Sequence, residues 1–294
     1  MPAPTATYRL QLHAGFALRD ALGVLPYLHS LGVSHLYLSP VLAARPGSRH
    51  GYDGTDPTRL NPDLGSEDDF RELAAACRGR GMGLILDVVP NHMAASADHN
   101  PWWADVLTHG PASPFAGHFD IAWDDSPRPH LRGKVLLPVL GEPYATALES
   151  GQFRPGFADG AFHLDLYGQK LPIDPRTYGL VLGPVVDVAR AELGADDPGV
   201  VELQSIINSV RHLPPRTDLD ADRQAEGRAE VAVVRRRLAD LPAAAFEAVA
   251  AGHGERLKSG LGAANAVAAF RSAGSTNPGL VADAVAGWKR RLAV

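Results

Sequence analysis

The chain has 294 residues, 45% of them hydrophobic and 21% charged, and a formal net charge of −5 at pH 7. This length can bury a large core, as one large domain or as a domain with an insert, and the acidic balance argues against nucleic acid or an anionic membrane as a partner. The single cysteine, Cys77, excludes an internal disulfide and is typical of a reducing compartment. The sequence shows neither a signal peptide nor an apolar run that could span a bilayer, so we expect a cytoplasmic protein.

Strands and helices alternate along the first ninety residues. Thr7–Leu12 alternates polar and apolar side chains as a strand does, and the apolar spacing from Leu18 onward predicts a helix that ends near Gly32. Ser66 and Asp69 form a capping pair that begins a second helix. The predicted elements in chain order are a strand at 7–12, a helix at 18–31, a strand at 33–39, a long polar loop at 43–65, a helix at 66–79 and a strand at 83–89.

Strands that are joined by single helices lie parallel to one another and are connected by right-handed crossovers. Two architectures have this pattern, a doubly wound open sheet and a (β/α)8 TIM barrel. In both, the loops at the carboxyl ends of the strands build the binding site. We therefore expect the 40–65 loop and the Pro90–His92 corner to lie at one rim of the sheet, whichever architecture is present.

The pattern changes after His92. Residues 96 to about 185 are rich in aromatic residues, Gly and Pro, with short strand-like runs at 134–137 and 161–164, which indicates an inserted subdomain. From Val201 onward the apolar spacing is helical. The α/β chain is therefore predicted to have three parts: three β/α units at 1–95, an inserted subdomain at 96–190, and an incomplete helical region at 191–294 whose last fifty residues receive no assignment.

Asp87, Asn91 and His92 lie close together in the sequence, where the third predicted strand ends. A carboxylate in an apolar strand is costly unless it is paired or hydrogen-bonded, and orienting the polar residues of a site is one reason to keep it there. His92 could bind a substrate hydroxyl or act as an acid or base, or it could be a loop histidine that bonds to the backbone. The nearby Asp87 favours the functional interpretation.

A second polar group, His50, Tyr52 and Asp53, lies in the glycine-flanked loop. A flat tyrosine ring stacks on the C–H groups of a sugar, and carboxylate and imidazole groups accept hydrogen bonds from sugar hydroxyls. The same residue types also suit a turn that caps neighbouring elements, so both interpretations remain open from the residues alone. No histidine or cysteine spacing indicates a metal site, and no glycine-rich nucleotide motif follows a strand.

These motifs resemble those of a known enzyme family. The run from Asp87 to His92 matches the D-x-x-x-N-H signature after the third strand of the α-amylase family of glycoside hydrolases, and His50–Asp53 resembles that family's loop after strand two. The finer resemblance is to the maltooligosyltrehalose synthases, the (1→4)-α-D-glucan glucosylmutases, and it is carried by TYRLQL at 7–12, SHLYLSP at 34–40 and PGSRHGYD at 46–53. The resemblance covers about residues 5 to 240 and implies the N-terminal part of a (β/α)8 TIM barrel.

The resemblance also implies roles for individual residues. Tyr52 would stack on the sugar at the cleavage subsite, and His92 would hydrogen-bond the sugar hydroxyls. The implied substrate-binding residues are Tyr52, His92, His50 and Asp53, and the implied site-orienting residues are Asp87 and Asn91. Neither a cofactor nor a metal is implied, and Arg9 and Gln11 at the end of the first strand receive no role.

The implied reaction is an intramolecular transglycosylation in trehalose biosynthesis, which converts the reducing-end α-1,4 linkage of a maltooligosaccharide to an α,α-1,1 linkage. Retaining enzymes of this kind use two carboxylates across the scissile bond, and in this family the nucleophile stands in a G-x-R-x-D context on the fourth strand. The Arg-x-Asp sequence of this chain, Arg216–Asp218, lies in a polar linker. We therefore expect the chain to lack the catalytic carboxylates and to be inactive alone.

Three interpretations of such a chain remain. The first is that the chain is the product of part of a synthase gene, either a fragment or a frameshifted reading of it. The second is a short protein that binds α-glucan without cleaving it. The third, of a different class, is a doubly wound α/β binding domain. An open half-barrel would expose a sheet edge, which is a liability for a soluble protein. The expected partners are therefore a maltooligosaccharide or other α-1,4-glucan and a second chain that completes the barrel.

Overall fold

The structure, a computed structural model, describes residues 3–124 and 132–241. The chain divides into two compact units, the first spanning Met1–Trp103 and the second beginning at Ala104. Within the two described ranges, none of the helices has the length and apolar character needed to cross a membrane. The sequence beyond residue 241, including the segment that received no assignment above, lies outside the described residues.

The first unit contains a three-stranded parallel sheet and two helices. Its strands lie in the order β1-β2-β5, with Arg9 of β1 beside Tyr37 of β2 and Ile85 of β5 next in the same row. This confirms the predicted alternation of strands and helices, although each strand ends earlier than predicted. The elements are β1 (Thr7–Leu10), α1 (Leu18–Ser30), β2 (His35–Leu38), β3 (Leu42–Ala44), β4 (Gly54–Leu60), α2 (Glu67–Arg78) and β5 (Gly83–Leu86).

The two helices form because their apolar residues recur on one face, which the sheet then buries. The helix α2 begins at the predicted capping pair: the Ser66 hydroxyl accepts a hydrogen bond from the Asp69 backbone N–H at 3.2 Å, and the Asp69 carboxylate accepts one from the Ser66 backbone N–H at 2.7 Å. The shared core includes Leu18, Ala21, Leu25 and Leu28 of α1, Leu36 and Leu38 of β2, and Leu73 and Cys77 of α2.

The long polar loop predicted at 43–65 is wrong in part, because it contains a β-hairpin. β3 and β4 pair antiparallel, with register shifts between Leu42 and Ala44, and a short 3₁₀ turn follows at Pro62–Leu64. The hairpin is short and irregular, and three consecutive residues of β4 are exposed, so its sequence carries little of the alternation that identifies a strand. The remaining loop, between Ala44 and Gly54, holds the polar residues singled out above.

The third predicted strand is not a buried one. Leu86 of β5 is 40% exposed and Val88, just beyond it, is 61% exposed. In the part of the chain that the structure describes, β5 pairs with β2 along one edge and with no strand along the other. Its apolar run therefore lies at an edge of this sheet, whereas parallel strands of this composition are usually covered on both faces.

The second unit combines an antiparallel sheet with helices. β6, β7 and β8 pair in chain order as a meander, and β7 buries every second residue, as a half-buried strand does. The predicted run at 161–164 is part of β7, whereas 134–137 is not a strand. From the helix that leads into this unit, the elements are α3 (Pro101–His109), α4 (Tyr144–Glu149), β6 (Arg154–Ala158), β7 (Ala161–Leu166), β8 (Gln169–Pro172), α5 (Tyr178–Leu193), α6 (Pro198–Arg211) and α7 (Ala221–Asp240).

The helical spacing predicted after Val201 is confirmed in α6 and α7. Each helix begins at an aspartate, Asp197 and Asp220, whose carboxylate accepts backbone N–H hydrogen bonds of the first turn. Helix α5 was not predicted, because Gly179, Gly183 and Pro184 interrupt its sequence. The buried faces of the two predicted helices comprise Leu203, Ile206, Ile207 and Val210 in α6 and Val231, Val234 and Leu238 in α7.

Candidate functional site

The carboxyl ends of the three parallel strands bring polar side chains to one rim of the first unit. Arg9 lies near the end of β1, Tyr37 lies beside it on β2, and Asp87 follows the last residue of β5. The backbone N–H of Asp87 donates to the Leu38 carbonyl at 3.0 Å, which continues the sheet pairing by one residue. Parallel strands therefore gather three residues that are far apart in the sequence.

Asp87 is the centre of a hydrogen-bond network. Its Oδ2 atom accepts from the Tyr37 hydroxyl at 3.1 Å and from the Tyr52 hydroxyl at 2.5 Å, and Arg9 Nη2 lies 3.7 Å from the same oxygen. The Asp87 side chain is only 15% exposed, so these partners replace much of the water that it loses. The carboxylate that looked costly in the sequence is thus satisfied by two phenols and a guanidinium group.

Tyr52 is held at both its ring and its backbone. Its backbone N–H donates to His50 Nδ1 at 3.0 Å, and its carbonyl accepts from His92 Nε2 at 2.9 Å. The His50 and Tyr52 rings stack, with centroids 6.1 Å apart and planes inclined by 24°. The hydrogen bond to Asp87 raises the pKa of the Tyr52 phenol and partial burial adds to the rise, while Arg9 opposes it, so Tyr52 is a neutral donor at pH 7.

His50 and Asp53 lie close together but do not form an ion pair. His50 Nδ1 is 3.8 Å from Asp53 Oδ1, yet this nitrogen accepts the Tyr52 backbone N–H and therefore carries no proton. Asp53 Oδ1 instead accepts from the Ser48 hydroxyl at 2.5 Å, and Ser48 in turn accepts from the Gly51 backbone N–H at 3.1 Å. The side-chain hydrogen bond between Ser48 and Asp53 therefore stabilises the loop that carries Tyr52.

The corner after β5 lies at the same rim. Asn91 and His92 are both exposed there, and the backbone N–H of Ala94 donates to the Gly54 carbonyl at 2.8 Å, which joins this segment to the start of β4. His92 therefore contacts the Tyr52 loop directly. The carboxylate of Asp87, for which a site-orienting role was expected, accepts hydrogen bonds from Tyr37 and Tyr52.

Arg9 and Gln11, which the sequence left without a role, complete the network. Arg9 Nη1 donates to Gln11 Oε1 at 2.7 Å and Arg9 Nη2 donates to the Tyr52 hydroxyl at 3.1 Å, while Gln11 Nε2 donates to the Arg49 carbonyl at 3.1 Å. The guanidinium carbon lies 5.4 Å from the centre of the Tyr37 ring, within cation–π range. Their position at the end of a parallel strand was the one signal that could have indicated this role.

The Arg-x-Asp sequence lies elsewhere, in the turn between α6 and α7 of the second unit. Asp218 Oδ2 is 2.8 Å from Arg223 Nη1, and Asp218 Oδ1 accepts from the Asp220 backbone N–H at 3.1 Å. Arg216 is largely buried against Gly110, with Asp174 Oδ2 at 3.8 Å from its Nη1. This sequence therefore stabilises a turn before a helix and does not place a carboxylate at the end of a strand. In the described ranges no group of three metal-ligating side chains comes together.

A family model agrees with this region of the chain. Residues 20–128 match the model described as "Alpha amylase, catalytic domain". This match covers α1 except its first two residues, the loop with Tyr52, and the corner with Asp87 and His92. The (β/α)8 barrel is therefore favoured over the doubly wound sheet.

Individual proteins also align with this chain, at identities of 35% to 49%. Over 142 residues the chain is 49% identical to a Mycobacterium tuberculosis protein named "Putative maltooligosyl trehalose synthase", an alignment that covers 46% of this chain and 18% of that protein. Among solved structures, maltooligosyltrehalose synthase from Arthrobacter ramosus is 41% identical with a TM-score of 0.51, over 58% of this chain and 21% of that one. A Sulfolobus tokodaii structure, named as a hypothetical maltooligosyl trehalose synthase, is 35% identical with a TM-score of 0.50, over 60% of this chain and 23% of that one.

The chain thus spans about a fifth of the length of the relatives that it matches. The likenesses give it mixed α/β content and the N-terminal part of a TIM-barrel-type fold. Taken together, the motifs at the rim, the family model and the aligned relatives relate this chain to the maltooligosyl trehalose synthases of the α-amylase family.

Proposed function

We propose that the rim formed by β1, β2 and β5 binds the glucose units of a maltooligosaccharide. The observation that carries this proposal is that Tyr52, a residue 37% exposed, is held by hydrogen bonds at its hydroxyl, its backbone N–H and its carbonyl. An aromatic ring that is both accessible and fixed in orientation suits stacking on the C–H face of a sugar. In this proposal Tyr52, His92, His50 and Asp53 bind substrate, and Asp87 and Asn91 orient the site.

His92 supports the proposal through its remaining nitrogen. Its Nε2 donates to the Tyr52 carbonyl, so in the neutral ring Nδ1 is an acceptor. A sugar hydroxyl above the Tyr52 ring could donate to this nitrogen. The same bond also makes the position of His92 depend on the position of Tyr52.

For the complete enzyme, we propose the reaction that the names of its relatives describe. This is an intramolecular transglycosylation that converts the reducing-end α-1,4 linkage of a maltooligosaccharide to an α,α-1,1 linkage. The steps would be cleavage through a covalent glycosyl-enzyme, rotation of the released glucose, and its attack as acceptor with retention. This chain would contribute the substrate-positioning part of the site. A role as a non-catalytic α-glucan-binding protein uses the same residues and the same contacts.

We also propose the setting in which the site acts. The unpaired edge of β5 among the described residues would be completed by further barrel strands, supplied by a second chain or by the rest of a longer protein. A cytoplasmic location remains a prediction from the single cysteine. The domain limits near residues 95 and 190 likewise remain predictions.

The binding proposal is tested by isothermal titration of maltopentaose into the purified chain and its Tyr52→Ala variant. Loss of the stacked ring should weaken the affinity by roughly 1–3 kcal/mol, or about 5- to 150-fold in Kd. Tyr27→Ala is the matched control, because Tyr27 is an even more exposed tyrosine on α1, and its affinity should be unchanged. Equal affinities of the wild type and Tyr52→Ala would remove Tyr52 from the site.

A further inference from the structure

We propose that Arg9 is a positioning residue that fixes the Tyr52 ring for sugar binding, and that Gln11 links it to the loop backbone. This inference rests on the proposed function, since it assigns Arg9 a part in the same glucan site. It concerns residues at the end of β1 that lie outside the two α-amylase motifs of the rim. The key feature is how the Tyr52 hydroxyl is held.

The Tyr52 hydroxyl has a fixed donor and a fixed acceptor. It donates to Asp87 Oδ2 at 2.5 Å and accepts from Arg9 Nη2 at 3.1 Å. With only the first of these bonds, the phenol could pivot about the carboxylate oxygen. The hydrogen bond from Arg9 fixes a second direction at the hydroxyl oxygen, and the two bonds together restrict the orientation of the Tyr52 ring.

The guanidinium group can serve this purpose because it is planar and its donors diverge. One of its terminal nitrogens reaches Gln11 at 2.7 Å while the other reaches Tyr52, and its carbon lies over the Tyr37 ring at 5.4 Å. A group already held over an aromatic face and by the hydrogen bond to Gln11 loses little further entropy when it also bonds to Tyr52. Lysine has the charge but not this geometry.

Gln11 extends the restraint to the loop backbone. Its amide oxygen accepts from Arg9 and its amide nitrogen donates to the Arg49 carbonyl, three residues before Tyr52. The loop is therefore fixed to β1 through one side-chain pair and one tyrosine hydroxyl. Arg9 hydrogen-bonds both to Gln11, which holds the loop backbone, and to the Tyr52 hydroxyl.

The position of Arg9 argues against a role in general folding. The side chain is 35% exposed and lies on the polar side of β1, whereas the neighbouring Leu10 belongs to the core. Replacing Arg9 therefore removes little apolar burial. Its contacts are made with residues of the candidate site.

The first measurement compares maltopentaose affinity in Arg9→Gln, Arg9→Lys and the control Arg71→Gln. Arg71 forms exposed ion pairs with Glu67 and Asp68 on α2, so its loss should leave binding unchanged. Arg9→Gln should raise Kd roughly 5- to 20-fold, as expected for loss of a charge-assisted hydrogen bond, with Arg9→Lys in between. In a Tyr52→Phe background, which keeps the ring but has no hydroxyl, Arg9→Gln should have a much smaller effect.

The second measurement needs no sugar. The ultraviolet absorbance of ionised tyrosine is followed against pH in the wild type and in Tyr52→Phe, and the difference between the two curves gives the titration of the Tyr52 phenol. Because Arg9 lowers the pKa of Tyr52 against the stronger effect of Asp87, Arg9→Gln should raise that pKa, and Arg71→Gln should not. A role of Arg9 in overall folding would not shift this single titration.

The outcomes separate the two proposals. If the wild type does not bind maltopentaose, the proposed function is contradicted, and the phenol titration still decides whether Arg9 acts on Tyr52. If the wild type binds, the positioning role is wrong when Arg9→Gln weakens binding equally in the wild-type and in the Tyr52→Phe background. It is also wrong when Arg9→Gln leaves the pKa of the Tyr52 phenol unchanged. Thermal melting by circular dichroism confirms that each variant is folded.

Discussion

Gly51 lies where the loop that carries Tyr52 passes close to the backbone of Pro40, two residues after β2. Its backbone has φ +76°, and a Cβ atom placed there would be 2.7 Å from the Pro40 carbonyl oxygen. Its N–H also donates to Ser48, which holds Asp53. A side chain at this position would therefore strain the backbone and push the loop away from the end of β2.

Gly51→Ala should lower the free energy of unfolding by about 2–3 kcal/mol and also weaken maltopentaose binding, because Tyr52 moves with the loop. Gly47→Ala is the matched control: Gly47 has φ +73°, but a Cβ atom at this position would lie in open space, with no neighbouring atom within 4 Å. That variant should lose only about 1 kcal/mol, the cost of the backbone conformation itself. Urea unfolding and calorimetry measure both effects, and equal losses in the two variants would contradict the close-approach argument.

The residues at the rim show what a sequence can say about a site. Tyr52, Asp87 and His92 could be identified from residue types and a family resemblance, and the structure brings all three together. The hydrogen bonds of Arg9, Gln11 and Tyr37 could not, since they depend on which side chains meet across strands separated by tens of residues. The only general rule that indicated a position near the site for these three residues is that the carboxyl ends of parallel strands lie at one rim of the sheet.

At the scale of elements, the start of α2 depends on charge as well as on capping. The backbone N–H and the hydroxyl of Ser66 and the Arg19 guanidinium hold the pKa of Asp69 at about 2, below its ordinary value of 3.8. A carboxyl whose folded pKa is depressed stabilises the fold above its unfolded pKa and loses that contribution as pH falls through the folded value. The stabilisation by Asp69 is therefore complete at neutral pH and is lost between about pH 4 and pH 2.

Asp69→Asn should lower the melting temperature at pH 7, and its difference from the wild type should shrink as pH falls from 4 to 2. The control is Asp68→Asn, one residue earlier in the same first turn, because the Asp68 side chain is 90% exposed and its partner is the surface residue Arg71. Its effect should be small at every pH. A difference for Asp69→Asn that stays constant down to pH 2 would show that the carboxylate charge is not what stabilises the helix start.

Elements were predictable where local pattern and tertiary environment agree. β1, α1, β2, α2 and β5 follow from alternation, helical spacing and the Ser66–Asp69 pair. The hairpin of β3 and β4 was missed because its pairing is irregular and three consecutive residues of β4 are exposed, and α5 because glycines and a proline interrupt it. In both cases packing, rather than local sequence preference, decides the structure.

At the scale of the whole molecule, the first unit is an open sheet in the described residues. β5 bonds to β2 along one edge, while Leu86 and Val88 remain exposed. A barrel of the α-amylase type would cover such residues with neighbouring strands and helices. The chain also spans about a fifth of its relatives' length.

We predict that the chain by itself does not turn over substrate. Retaining cleavage needs a nucleophile and an acid/base on either side of the scissile bond, whereas Asp87 already accepts from two tyrosine hydroxyls and Asp53 accepts from Ser48. Incubation with maltopentaose should leave the number of reducing ends unchanged, with the Arthrobacter ramosus synthase as positive control. A loss of reducing ends in the purified chain would contradict this prediction. Asp53→Asn and Asp87→Asn variants would then show whether either of these carboxylates carries the reaction.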